Sequence, residues 1–272
     1  MNYALDVSCP PLPTTVSDVG ELIASGDPDT ASLVDIVKRD SMISINVLRR
    51  VNSAYYGMRR SVERVEQAVH LLGFTEVSTI VLIEGMNTMQ SRFTLRARNV
   101  FHDILRSAVF TGRFTQEFAK ELDVPWEWTR PSFSSGLLFA SGRLVLLHNA
   151  PTQYATLAED SDGPLPSADE EGRALGQSHE TLAPRLCAHW SLPSRICSIL
   201  CAAPTPDDVS DGPLSTLARS VWLGSHLSVQ DLAHRDLTVP ERAYALGGDD
   251  IDTRALNVAS DASSYAAEVG CL

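Results

Sequence analysis

A chain of 272 residues with 44% hydrophobic content can hold one large domain or two small ones around a sizeable core. Its 22 Lys and Arg against 34 Asp and Glu leave a net charge of -12, which disfavours a phosphate-tracking surface and argues against nucleic acid as a direct partner. The opening MNYALDVSCPPLP has no basic n-region and no apolar core of signal-peptide length, and no uninterrupted apolar run reaches about 18 residues, so a cytoplasmic protein without membrane insertion is expected.

In chain order, Pro10 to Pro13 gives way to Thr14-Thr15, after which Val16, Val19, Leu22 and Ile23 recur at helical spacing. Thr15 and Asp18 are placed like a capping box. Gly26-Asp27-Pro28 breaks this first helix, and Leu33, Ile36 and Val37 mark a second that closes near Asp40. A third runs from about Ile43 to Tyr55 and ends in NSAYYG, with Gly57 where a left-handed cap is expected. After the basic turn Met58-Arg59-Arg60, Ser61 is placed to cap a helix carrying Val65, Ala68, Val69 and Leu72 that stops at Gly73. A fifth helix carries Val77, Ile80, Val81 and Leu82. The polar text QSRF between Met89 and Thr94 marks a boundary between residues 1–92 and 93–272.

Beyond it, Val100, Ile104, Ala108, Phe114, Phe118 and Leu122 trace a long amphipathic helix. Pro125, with Trp126 and Trp128, turns the chain into SGLLFASGRLVLLHNA, Ser135 to Ala150, whose apolar residues wrap most of a helix and mark it as central and enclosed. Pro151 ends it before a short helix around Tyr154 to Leu157, and Glu159 to Ala168 reads as a polar surface loop. Helices follow within Leu175 to Leu200, at Leu214 to Val229 and at Leu256 to Val269. With no alternating strand pattern and no internal repeat, the fold class is all-α.

Several motifs occur in order: PLPTTVSDVGEL, VNSAYYG and VEQAVHLLGFTEV, then Gly136-Leu137-Leu138 with Ser141-Gly142-Arg143-Leu144, then Gly176, His179, Trp190 and Leu192-Pro193. This pattern resembles the HDOD family, regulatory relatives of the HD-type metal-dependent phosphohydrolases. The resemblance implies one continuous module, an N-terminal five-helix lobe followed by an HD-like helical bundle. It also implies signal transduction, with a diguanylate-cyclase, response-regulator or chemotaxis-type protein as partner.

Against that family pattern, Phe139-Ala140 stands where a His-Asp pair would hold metal. Arg106 stands at the first histidine position, and Cys201-Ala202-Ala203-Pro204 follows where a histidine pair is common in the family. Phenyl, methyl and guanidinium groups do not ligate divalent cations. The expectation is therefore a non-catalytic protein with no cofactor and no metal, acting through a protein partner or a small anionic effector. Two other readings stay open: an anion or nucleotide receptor using the vestigial cavity, and a residual metal-dependent phosphohydrolase.

The candidate ligand-binding residues are Arg106, His102, His179 and Arg143. Arg106 has the planar fork that holds a phosphate or carboxylate bidentately, with a structural salt bridge as the alternative. His102-Asp103 spells the metal motif but lies 37 residues before Phe139 and lacks the Gly-Leu-Leu approach. His102 shares a helix face with Arg106 at i, i+4. His179 alone matches a cavity histidine, and as a single imidazole it is expected to be a hydrogen-bonded structural residue. His148 falls about half a turn out of phase with Phe139 and is also read as structural. The four tryptophans are expected in the core or between lobes. The five cysteines lack metal-finger spacing, and Cys197 and Cys201, sharing a face, read as small buried hydrophobes, with a redox or metal role as the alternative. The five-helix lobe, the basic turn at Met58 and the groove between lobes are the candidate contact surfaces.

Overall fold

The computed structural model describes residues 7–10, 14–24, 29–53, 56–88, 93–190, 192–240, 243, 246 and 250–269, and all regular structure among them is helical. Two compact units form, Pro11–Ser91 and a larger one joining Met1–Pro10 to Arg92–Cys271. Residues 7–10 group with the larger unit because Ser8 donates its backbone N–H to Asn149 Oδ1 at 2.9 Å and Pro10 O accepts from Trp190 Nε1 at 2.8 Å. Of the QSRF boundary text, residues 90–92 lie outside the described residues.

The smaller unit holds α1 (Thr14–Ala24), α2 (Thr30–Arg39), α3 (Ser41–Val51) and α4 (Val65–Asn87). Thr14 and Thr15 are already helical, so the capping box expected at Thr15 does not form there. Asp29 caps α2, and Asp40 both closes α2 and caps α3, accepting from Met42 and Ile43 N–H. The third helix stops at Val51 rather than Tyr55. Asn52 leaves the helix and its amide spans the turn, accepting from Val62 N at 2.7 Å while donating to Leu48 O and Val62 O. Gly57, at φ 53°, therefore serves the returning turn rather than the helix end. Arg64, not Ser61, precedes α4, and Gly73 interrupts it at φ 82°, a left-handed value that suits glycine. Val19, Leu33, Val37, Val47, Val51, Val69 and Val81 make a continuous core. Within it Arg50 Nε donates to Glu76 Oε1 at 2.7 Å. By length and composition α4 is the one described helix apolar enough to cross a membrane.

In the larger unit run α5 (Leu95–Glu121), α6 (Trp126–Thr129), α7 (Ser132–Asn149), α8 (Pro151–Asp160), α9 (Ala168–Leu175), α10 (His179–His189), α11 (Ser194–Ala202), α12 (Pro213–Leu232) and α13 (Ile251–Val269). Every residue of α7 from Ser132 to Leu147 is buried, as its all-round apolar text predicts. It packs on α5, α10, α11 and α12. The approach to α5 is close enough that a Cβ on Gly136 would come 2.6 Å from Thr111 O. Buried hydroxyls satisfy themselves locally: Thr111, Thr115, Ser135 and Ser141 each bond the carbonyl four residues back.

Three expectations change. Residues 168–175 form α9, a helix in the stretch that the sequence reading left unassigned between the polar loop and Leu175, and the loop before it folds inward, leaving Leu165 only 2% exposed. Trp126 is 64% exposed rather than packed, with the Arg130 guanidinium 6.0 Å from its ring centroid. Cys201 is exposed and Cys197 partly so, while Cys187 is buried. Burial, reinforced by neighbouring Cys197 and Cys201, pushes the Cys187 thiol well up.

Candidate functional site

A buried carboxylate organises the middle of the larger unit. Ser167 and Glu170 close a capping box at the start of α9, which turns the next residue, Glu171, inward to full burial. Gly176, left-handed at φ 74°, ends α9. Ser178 then caps α10 with Thr181, making His179 the first helical residue, with a backbone N–H that has no partner inside the helix. That N–H donates to Glu171 Oε2 at 2.7 Å, and the ring Nδ1 lies 2.6 Å from the same oxygen. Tyr154 from α8 donates its hydroxyl to Oε1 at 2.7 Å. Arg143 Nε from α7 lies 3.6 Å from Oε1.

Burial alone would raise the Glu171 pKa, but His179 and Arg143 outweigh it and hold the carboxyl below the usual glutamate value. An ionised Glu171 accepts only, so the His179 proton sits on Nδ1. The same burial, with the carboxylate alongside, pushes the Tyr154 phenol well above its ordinary value.

The positions that the family resemblance would align with metal ligands are enclosed or ion-paired. Phe139 is fully buried and meets His179 edge-on, ring centroids 5.8 Å apart. Ala140 is also fully buried, and Ala202 and Ala203 are buried at the end of α11. Arg106 Nη2 lies 3.5 Å from Asp231 Oδ2 on α12, the salt-bridge alternative of the sequence reading. His102 is exposed, with its ring against Phe101. Next to it, burial raises the Asp103 pKa despite Arg106 and His102. The donor set does not fit a divalent metal: with Nδ1 on Glu171 a single imidazole nitrogen, Nε2, is left to offer, and the side chains at 139, 140, 202 and 203 are phenyl and methyl groups. Among the described residues no group of three or more His, Cys, Asp or Glu is arranged to hold a metal ion.

Of the four candidate ligand residues, the structure brings Arg143 and His179 to one cavity of about 460 Å³. Arg106 and His102 are not in its wall. Glu171 and Tyr154, which the sequence reading missed, complete the buried cluster. A faint signal existed in the buried-side position of Glu171 on an acidic, amphipathic stretch eight residues before His179.

The curated relatives include the uncharacterized protein YuxH of Bacillus subtilis, 23% identical over 56% of this chain and 34% of its own length. Another is an uncharacterized protein of Treponema pallidum, 20% identical over 70% of this chain and 36% of its own. The chain thus spans about a third of the length of the curated relatives it matches. Among solved structures, a Marinobacter aquaeolei protein named for signal transduction superposes with a TM-score of 0.73 at 22% identity, over 98% of this chain and 60% of its own. An HDOD domain protein of unknown function from Geobacter sulfurreducens gives 0.69 at 16% identity, over 97% and 92%. A Shewanella amazonensis protein named as a phosphohydrolase gives 0.58 at 18%, over 93% and 95%. The HDOD domain itself matches residues 9–206, and the chain belongs to the HDOD domain family.

Proposed function

We propose that this chain is a non-catalytic regulatory module that works in the cytoplasm by binding a signalling protein or a small effector. The observation that carries the reading is Phe139, fully buried against His179 at the position where the family's metal-dependent relatives place a His-Asp pair. Hydrolysis by a metal pair needs several oxygen or nitrogen ligands within about 4 Å of each other's ions. Here Arg106, Ala140, Ala202 and Ala203 supply none at the aligned positions. Membership of the HDOD family and the signalling name of the Marinobacter protein support a regulatory role. By resemblance, a diguanylate-cyclase, response-regulator or chemotaxis-type protein is the partner class.

The deciding experiment is metal analysis of the purified chain together with phosphoester hydrolysis under added manganese. Background hydrolysis and substoichiometric metal are expected. Manganese-dependent turnover with stoichiometric bound metal would replace this reading with the residual-hydrolase one. A second reading, reception of a small ligand, is favoured by the cavity that Arg143 and His179 line.

A further inference from the structure

The cavity is bounded by the loop before α9, the start of α10, one face of α12 and the segment after α12. Trp222, Ser225, His226 and Val229 follow one another at i, i+3, i+4 and i+7 and so line it from a single helix face. Its volume, about 460 Å³, suits a small molecule, since ligand pockets run from about 300 to 1,000 Å³.

The charges are sorted by depth. Arg143 and His179 are 3% and 2% exposed and form the closed end. Arg143 is held loosely there: Nη2 donates to Pro166 O at 3.4 Å and Nε stands 3.6 Å from Glu171, while Nε and Nη1 make no hydrogen bond. Glu171 meanwhile accepts from His179 and Tyr154 at 2.6 to 2.7 Å. Nε and Nη1 are enclosed by protein, so Nη2, whose bond to Pro166 O is long, is the guanidinium nitrogen left to meet an acceptor oxygen in the cavity.

The mouth has the opposite character. Asp162 and Asp236 are exposed and Glu180 half-buried, against the guanidinium of Arg235, which donates to Asp162 O. The Glu170 carboxylate, also in the wall, is taken up by Ser167 N and Oγ. Such a rim repels polyanions and attracts a cation. Trp222 and His226 stack there, centroids 5.7 Å apart at 14°, a π surface that suits an ammonium group.

We propose that this cavity binds a small zwitterion, its carboxylate on Arg143 at the closed end and its ammonium at the acidic mouth beside Trp222. The assignment rests on the small-effector form of the function proposed above and names its ligand class. It disfavours nucleoside polyphosphates, whose charge the rim opposes.

Isothermal titration and thermal-shift measurements on the full chain would use α-amino acids, γ-aminobutyrate and glycine betaine, with AMP, GTP and inorganic phosphate for contrast. Saturable binding of at least one zwitterion is expected, weakened by a factor of about 30 or more in Arg143→Gln. Val229→Trp, which fills the cavity from α12 without touching the buried cluster, is expected to abolish it while keeping the helical circular dichroism of the parent. Three results overturn the assignment: no zwitterion binds, a nucleotide or phosphate binds more tightly than every zwitterion, or folded Val229→Trp binds like the parent. None of these touches the manganese-hydrolysis test, so failure here and failure of the non-catalytic reading are separable.

Discussion

Phe139 and His179 meet as an edge-to-face pair, ring centroids 5.8 Å apart and planes inclined by 78°. This is a favoured arrangement for two aromatic rings. It joins α7 to the first residue of α10 by an apolar contact. The Glu171 carboxylate orients the imidazole on its Nδ1 side. The site is therefore held by packing and an internal ion-pair cluster.

Removing that ring should be expensive. Phe139→Ala leaves a cavity in the most enclosed helix, with an expected loss of about 3–5 kcal/mol in urea unfolding. The double variant Phe139→His, Ala140→Asp should also destabilise, because the new carboxylate enters a fully buried position without a compensating partner. It should fail to bind manganese in calorimetry, since Arg106, Ala202 and Ala203 remain. Stoichiometric manganese binding by the double variant would show that the restored pair with His179 suffices and contradict the account.

The Glu171 cluster gives a graded prediction. Glu171→Gln takes away the charge that Arg143 and His179 face, and breaking one side of a buried ionic cluster costs about 3–5 kcal/mol. Tyr154→Phe removes a single hydrogen bond and leaves Oε1 beside Arg143, for about 1 kcal/mol. A double-mutant cycle checks the coupling. If the two losses simply add, Tyr154 is packing independently of the carboxylate.

How much of this was legible in the sequence depends on the range of the interactions involved. The apolar wrap of α7 and the helical spacing of Val100 to Phe118 on α5 are local signals, and both helices stand where they were expected. Helix ends were less legible, because Asn52 ends α3 by bonding Val62 ten residues on, beyond any capping pattern. Helix α9 was masked by its charge, since ADEEGRAL carries three acids in its first turn and its only buried residues are Glu171 and Leu175. The partner of Arg106 is 125 residues away in sequence. The loose state of Arg143 reflects how Glu171 is shared in space, which spacing along the chain does not encode.

The small-Gly-basic run has a steric meaning that a pair of glycine variants can expose. A Cβ on Gly142 would overlap His179 O and stand 2.9 Å from its Cα, so Gly142→Ala must push the start of α10 off α7. The expected cost is about 1–3 kcal/mol, with loosening of the His179–Glu171 pair visible in the imidazole NMR signals. Gly172 in α9 has nothing within 4 Å of an added Cβ. Gly172→Ala should therefore stabilise by about 0.5–1 kcal/mol through helix propensity. Equal effects at the two positions would remove the steric argument.

Acid should reach the cluster through Glu171. Its folded-state pKa lies below the ordinary value because His179 and Arg143 overcome the burial penalty. In the unfolded chain the carboxyl takes up its proton at about pH 4.3. A group with a depressed folded pKa contributes stability that is fully present above the unfolded value and is lost as pH falls through the folded one. The stability gap between the parent and Glu171→Gln should thus be constant from neutral pH down to about 5, then shrink as the pH falls below about 4.3. Chemical denaturation of both proteins across this range measures it directly. A gap that stays constant to pH 3 would mean that folding does not lower the carboxyl's pKa, and one that widens on acidification would mean that folding raises it; either result would show that Arg143 and His179 do not hold its charge.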